Sequence, residues 1–159
     1  MQSRRAFIIQ TSALAGATLL SSPALAAGFE ITRTKAEWKA RLTTMQYNVL
    51  RRHKTERPGS SPLLAESRTG TYDCAGCNLP LFSSRTKFES GTGWPSFYDV
   101  IDNAIGTKPD NTLLTTRTEV HCRRCGGHIG HVFNDGPKPT GLRYCMNGVA
   151  MDFKADEAS

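Results

Sequence analysis

Five cysteines in 159 residues are too few for a disulfide-dense scaffold, and an odd number cannot all pair within one chain. Aromatic residues make up only 8%, and no stretch beyond the N-terminus is long and apolar enough to span a membrane. There is no low-complexity tract and no internal repeat except one doubled Cys-x-x-Cys. The His-x-Glu that precedes Pro-Cys-x-x-Cys in zinc deaminases is missing, which removes that class. What remains is still a globular composition. Hydrophobic residues at 38%, with 14 glycines, suffice for a core, and the length suits one domain. The net charge of +6 is not gathered into a stripe. Arg123-Arg124 would suit phosphates, but basic residues cluster nowhere else, so a nucleic-acid partner is not expected.

The N-terminus carries a targeting pattern. Ser3-Arg4-Arg5-x-Phe7 is followed by a moderately apolar run from Ala13 to Leu20 and then by Ala24-Leu25-Ala26. The last triplet has the small-x-small form that signal peptidase cuts. The paired arginines are those of a twin-arginine signal, which exports proteins already folded. Residues 1–26 are therefore expected to be a cleaved signal and residues 27–33 a connector to one domain over 34–155. The mature protein is expected to be periplasmic and monomeric, with no stable membrane insertion.

Thr34-Lys35-Ala36-Glu37 and Thr43-Thr44-Met45-Gln46 are two capping boxes in succession. They predict a short helix with Trp38 and Leu42 on one face, then a second helix to about Lys54 that buries Met45, Tyr47 and Leu50. Glu56 to Pro62 breaks it. Beyond residue 62 no helical period is sustained. Short runs at 70–74, 79–82 and 112–116, separated by Gly, Pro, Asn and Ser, predict short antiparallel strands in a compact sandwich or open barrel.

Cys74-Ala75-Gly76-Cys77 and Cys122-Arg123-Arg124-Cys125 share one spacing. Two such knuckles offer four thiolates to one Zn2+. Four thiolates leave no open coordination position, so such a zinc is structural. Gly76 and Gly126-Gly127 supply the tight backbone that the knuckles need. Two redox-active Cys-x-x-Cys disulfides are the alternative, which the matched pairs disfavour. Export after folding fits zinc, because the metal can be loaded before the chain meets an oxidising compartment.

Cys145 then has no partner. In Leu142-Arg143-Tyr144-Cys145-Met146-Asn147, strand periodicity puts Arg143, Cys145 and Asn147 on one face and the apolar residues on the other. The arginine would favour a thiolate. His128 and His131 follow the second knuckle among glycines that suggest a close backbone approach. Trp94 and Phe97 offer an aromatic wall on the Gly-rich loop 88–97.

Four blocks in order carry a resemblance: Cys74-Ala75-Gly76-Cys77; Lys87-Phe88-Glu89-Ser90-Gly91-Thr92-Gly93-Trp94-Pro95-Ser96-Phe97; Cys122-x-x-Cys125-Gly126-Gly127-His128-x-Gly130-His131-Val132-Phe133; and Arg143-Tyr144-Cys145-x-Asn147. Together, over residues 34–153, they resemble the methionine-R-sulfoxide reductase B (MsrB) family. The resemblance implies a mainly β fold of two antiparallel sheets with short N-terminal helices outside. It implies zinc on Cys74, Cys77, Cys122 and Cys125, and Cys145 as the nucleophile. It implies a substrate pocket on Trp94, His128, His131, Phe133, Arg143 and Asn147. Substrates would be oxidised proteins or peptides carrying methionine sulfoxide, and a thioredoxin-like or other thiol would be the reductant. On that reading His131 is the acid, His128 and Asn147 orient the sulfoxide oxygen or a water, and Trp94 and Phe133 hold the methyl group. The chain departs from the family at two positions. Thr92 occupies the place where many members have a resolving cysteine, and Gly148 follows Asn147 where the family has serine. A non-catalytic zinc module that binds a protein partner is the competing reading. It explains the knuckles but not the polar face around Cys145.

Overall fold

The computed structural model describes residues 28–157, so the expected signal segment lies outside the described residues. Both capping boxes form. Thr34 accepts from the Glu37 amide at 3.2 Å while Glu37 accepts from the Thr34 amide at 2.7 Å, opening α1 (Lys35–Arg41). Thr43 and Gln46 make the same exchange at the head of α2 (Thr44–Arg52). The second helix ends two residues earlier than its pattern suggests, because His53 turns left-handed at φ 54°. Trp38, Leu42, Val49 and Leu50 are buried and Tyr47 half-buried. Met45, expected inside, is 47% exposed. Burial along α2 is deepest at Val49 and Leu50 in its second half, and Met45 lines a surface cleft with Gly148 and Val149.

The strands form two wholly antiparallel sheets, as expected. One is three-stranded, with β1 (Gly70–Cys74) between β2 (Pro80–Ser83) and β9 (Met151–Ala155). The other has six strands in the order β3 (Lys87–Phe88), β4 (Ser96–Phe97), β8 (Arg143–Met146), β7 (His128–Phe133), β6 (Arg117–Cys122) and β5 (Ile105–Asp110). The run at 112–116 is not a strand. It is the loop between β5 and β6, with Leu113 61% exposed and Leu114 fully so. Asp110 turns the chain there by accepting from the Thr112 amide and hydroxyl. The strand that does form, β5, contains Pro109, which is tolerated because β5 is the sheet edge.

An aromatic cluster joins the sheets. Phe82 of β2 stacks on Phe97 of β4 at 4.4 Å, and Tyr72 of β1 meets Phe97 edge-on at 4.9 Å. All three are fully buried. No helix among the described residues is long and apolar enough to cross a membrane. Replacing Phe97 by Ala removes the ring shared by both sheets. It is expected to lower unfolding stability by roughly 3–5 kcal/mol, read from urea denaturation.

Candidate active site and metal cluster

The two knuckles are built alike, although they end strands of different sheets. After β1, the Asn78 amide donates back to the Cys74 carbonyl at 2.7 Å with Asn78 at φ 56°. After β6, the Gly126 amide donates back to the Cys122 carbonyl at 2.8 Å with Gly126 at φ 66°. Each turn thus presents its two sulfurs on one side. Gly76 is not left-handed, and a Cβ there would meet the Cys125 sulfur at 3.4 Å, close to ordinary contact. The ligand atoms of the four cysteines lie within 4.8 Å of one another, with Cys74 to Cys125 at 3.7 Å and Cys77 to Cys122 at 3.5 Å. Sulfurs sharing a tetrahedral zinc sit about 3.8 Å apart, so the donor set and spacing fit that ion. None of the five cysteines is in a disulfide. The cluster joins the end of β1 to the end of β6. Arg51 of α2 ties it to the helices by donating to the Cys125 carbonyl at 3.0 Å while its guanidinium lies 4.7 Å from the Trp38 ring centroid.

Cys145 lies apart from this cluster, on β8. Antiparallel register sets it opposite Ser96 of β4 on one side and His131 of β7 on the other. Directly opposed side chains share a sheet face. Tyr144 and Met146 turn into the core, as the alternation predicts. Gly130 lets the two strands approach, because a Cβ there would run into the Cys145 carbonyl. Cys145 lines a small cleft of ≈120 Å³ with Thr55, Trp94, Arg117, His131, Phe133 and Asn147. That volume admits the end of one side chain, not a large ligand. Thr92, in the expected resolving position, brings its hydroxyl within 3.7 Å of the Cys145 sulfur.

The other expected residues divide into those that face the cleft and those that support it. His131 meets Asp110 through Nε2 at 2.6 Å, and Asp110 also accepts from Arg117 at 2.7 Å. Hydrogen bonds from Thr112 and then His131 hold the Asp110 carboxyl well below the usual carboxylate range. Arg143 is forked onto Asp135 by two bonds of 2.8 Å and lies 4.5 Å from the Phe133 ring centroid. The Asp135 carboxylate holds its guanidinium charged, with a smaller contribution from Cys145. Asn147 is buried. It accepts from the Glu56 amide and donates to the Ile129 carbonyl, each at 2.9 Å. His128 is 2% exposed and is absent from the cleft lining. Its Nδ1 faces Glu119 at 3.0 Å, and its ring centroid stands 5.4 Å from that of His131.

Sequence reasoning missed Asp110, Arg117, Glu119, Asp135 and Glu56. Glu56 reaches furthest along the chain of these. Its buried carboxylate accepts from the amides of Gly148 and Val149, and its carbonyl accepts from Trp94 Nε1 at 3.1 Å. One residue therefore ties the aromatic wall to the turn that follows β8. Burial pushes its carboxyl up. The exchange at Gly148 has a local cause, because a Cβ there would strike the Ser61 side chain.

A family model described as the SelR domain matches residues 42–155. The chain is 54% identical over 128 residues to the peptide methionine sulfoxide reductase MsrB of Methanosarcina barkeri, covering 80% of this chain and 90% of that protein. It is 53% identical over 129 residues to the protein of that name from Methanosarcina mazei, covering 80% and 92%. It is likewise 53% identical over 126 residues to that of Pseudomonas putida, covering 79% and 95%. The chain belongs to the SelR (MsrB) family, a family of sulfur-acting oxidoreductases, and its fold, cleft and cysteine cluster agree with that.

Two outcomes follow from this geometry. Cys74→Ser is expected to lose bound metal and to lower Tm, whereas Cys145→Ser leaves both unchanged, as metal analysis and calorimetry would show. Asp110 is held ionised in the folded state to a lower pH than in the unfolded chain. As pH falls from the ordinary carboxylate range toward that depressed value, the unfolded state takes up the proton first, so stability declines. Asp110→Asn is expected to flatten that acid slope in denaturation experiments at stepped pH.

Proposed function

We propose that the chain reduces the R epimer of methionine sulfoxide, peptide-bound and free, with Cys145 as its single catalytic sulfur. The chain is a peptide-methionine (R)-S-oxide reductase by family membership. The observation that carries the one-cysteine scheme is the contact between Thr92 and Cys145, where a hydroxyl stands beside a sulfur that no disulfide engages. The other four cysteines are gathered in their own cluster and fit one structural zinc. Their role is to hold the two knuckles, and the cluster leaves no thiol to spare for Cys145. Family membership sets aside the non-catalytic reading.

In this scheme the Cys145 sulfur attacks the sulfoxide sulfur and takes its oxygen. Thiol and sulfoxide become a sulfenic acid and a thioether. The oxygen needs a proton as the S–O bond breaks. His131 supplies it, because it is Cys145's neighbour across the strand pair and Asp110 fixes its ring through Nε2. Trp94 and Phe133 enclose the methyl group, and Arg143 packs behind Phe133. Asn147 spends its carbonyl and one N–H on the backbone, so it shapes the cleft and has one N–H left for the oxygen. His128 backs His131 from the Glu119 side. One external thiol then condenses with the sulfenic acid, releasing water and forming a mixed disulfide. A second thiol releases Cys145 and leaves with the first as a disulfide. A thioredoxin-like protein or a small thiol fills that role. The twin-arginine pattern at Arg4-Arg5 supports export to the periplasm, where such a reductant must be delivered.

A stereospecific assay on both epimers tests this reading. Turnover of the R form alone, abolished in Cys145→Ser, is expected. Asp110→Asn should lower kcat by about tenfold or more with little change in KM, because it disturbs proton delivery rather than binding. Cys145→Ser protein that still reduced sulfoxide would sink the assignment.

A further inference from the structure

On the far side of His131 lies a second group of metal-ligating side chains, of which the reductase scheme uses only His128, as backing for His131. His53, Glu119 and His128 bring one ligand atom each to within 4.8 Å of one another. They come from the end of α2, from β6 and from the start of β7, so two strands and a helix terminus fix the group. His53 Nδ1 stands 3.4 Å and His128 Nδ1 3.0 Å from the same Glu119 oxygen, Oε1. Atoms that share one cation at about 2.1 Å are roughly 3.0–3.4 Å apart in octahedral or tetrahedral geometry, which matches both distances.

The burial of these atoms points the same way. Glu119 is 3% and His128 2% exposed, and Glu119 Oε1 and His128 Nδ1, though 3.0 Å apart, are not aligned as a hydrogen bond and have no other hydrogen-bond partner. A buried carboxylate oxygen and a buried imidazole nitrogen left unmatched are costly unless something binds them. Glu119 Oε1 faces His53, which is exposed and closes the group from the solvent side. Their surroundings leave His128 a neutral donor, since burial pushes its imidazole down to about 4. Burial alone would lift Glu119, but His128, His53 and Lys108 outweigh it and keep the carboxyl below its ordinary range. Lys108 is the competitor, with Nζ 3.3 Å from the other carboxylate oxygen. Its side chain is 54% exposed and free to swing into solvent. The group opens onto a cleft of ≈500 Å³ that also reaches Asp110 and His131.

We propose that His53, Glu119 and His128 form a second metal site, distinct from the cysteine cluster, that takes a divalent transition ion such as Zn2+ or Co2+. Two imidazoles and one carboxylate suit these ions, and three protein ligands leave a position open to water or another donor. The ion would stand beside the His128 ring, which is the ring next to His131. The inference does not rest on the reductase scheme, because metal uptake can be measured without turnover.

The experiment adds Co2+ to the full chain already loaded with zinc and follows metal content and visible absorption. About one Co2+ per chain beyond the zinc is expected, with visible ligand-field bands and no near-ultraviolet thiolate-to-cobalt band. His53→Asn is the first variant, because asparagine tolerates the left-handed backbone that His53 adopts at φ 54°. It should weaken Co2+ binding by more than about tenfold while retaining the zinc. Glu119→Gln should weaken it likewise, and retained zinc and near-ultraviolet circular dichroism identify the folded variants. Absence of extra Co2+ uptake, a thiolate band showing exchange into the cysteine cluster, or undiminished binding in folded His53→Asn and Glu119→Gln would overturn the proposal.

Discussion

The site depends on strand register. Cys145 faces the cleft because β8 lies between β4 and β7 with Ser96, Cys145 and His131 in one cross-strand row. Side chains alternate along a strand, so a slip of one residue would turn the sulfur inward and bring Tyr144 and Met146 out. The aromatic cluster opposes that slip. Tyr144 sits 5.9 Å from Phe82, and Met146 is fully buried, so two core contacts would be lost at once. Gly130 makes the row tight, and Glu56 fixes the turn beyond it. Hydrophobic burial thereby places a polar atom.

The cysteine cluster acts at a different level. It fastens the end of β1 to the end of β6 and so couples the two sheets at a point away from the aromatic core. Through Arg51 and Trp38 it also anchors the helices. Four soft donors suit an ion with no redox chemistry of its own, and of the five cysteines only Cys145 lines the cleft. Around that sulfur, charges are arranged in pairs: Arg143 with Asp135, and Arg117 with Asp110 beside His131.

Much of this was legible in the sequence where the signal was local. The capping boxes, the matched knuckles and the alternation through Tyr144, Cys145 and Met146 each lie within a few residues, and each appears as read. Residues whose partners are distant left no trace. Glu56 sits in a helix-breaking stretch and reaches amides 92 and 93 residues away. Asp110 ends an edge strand with little apolar content, and only the β5–β6–β7 ladder brings it to His131. The run at 112–116 misled because its leucines and threonines favour strands, whereas the hairpin turns there and leaves Leu114 in solvent. Met45 misled because a helical stripe states which residues share a face, not how much of that face the rest of the fold covers.

The central claim is that a single sulfur performs the reduction without a partner thiol in the chain. Intact-protein mass spectrometry after one equivalent of sulfoxide, with reductant omitted, tests it most directly. A gain of about 16 Da on the peptide that holds Cys145 is the predicted result. A loss of about 2 Da, with Cys145 joined to any of the other four cysteines, would contradict it.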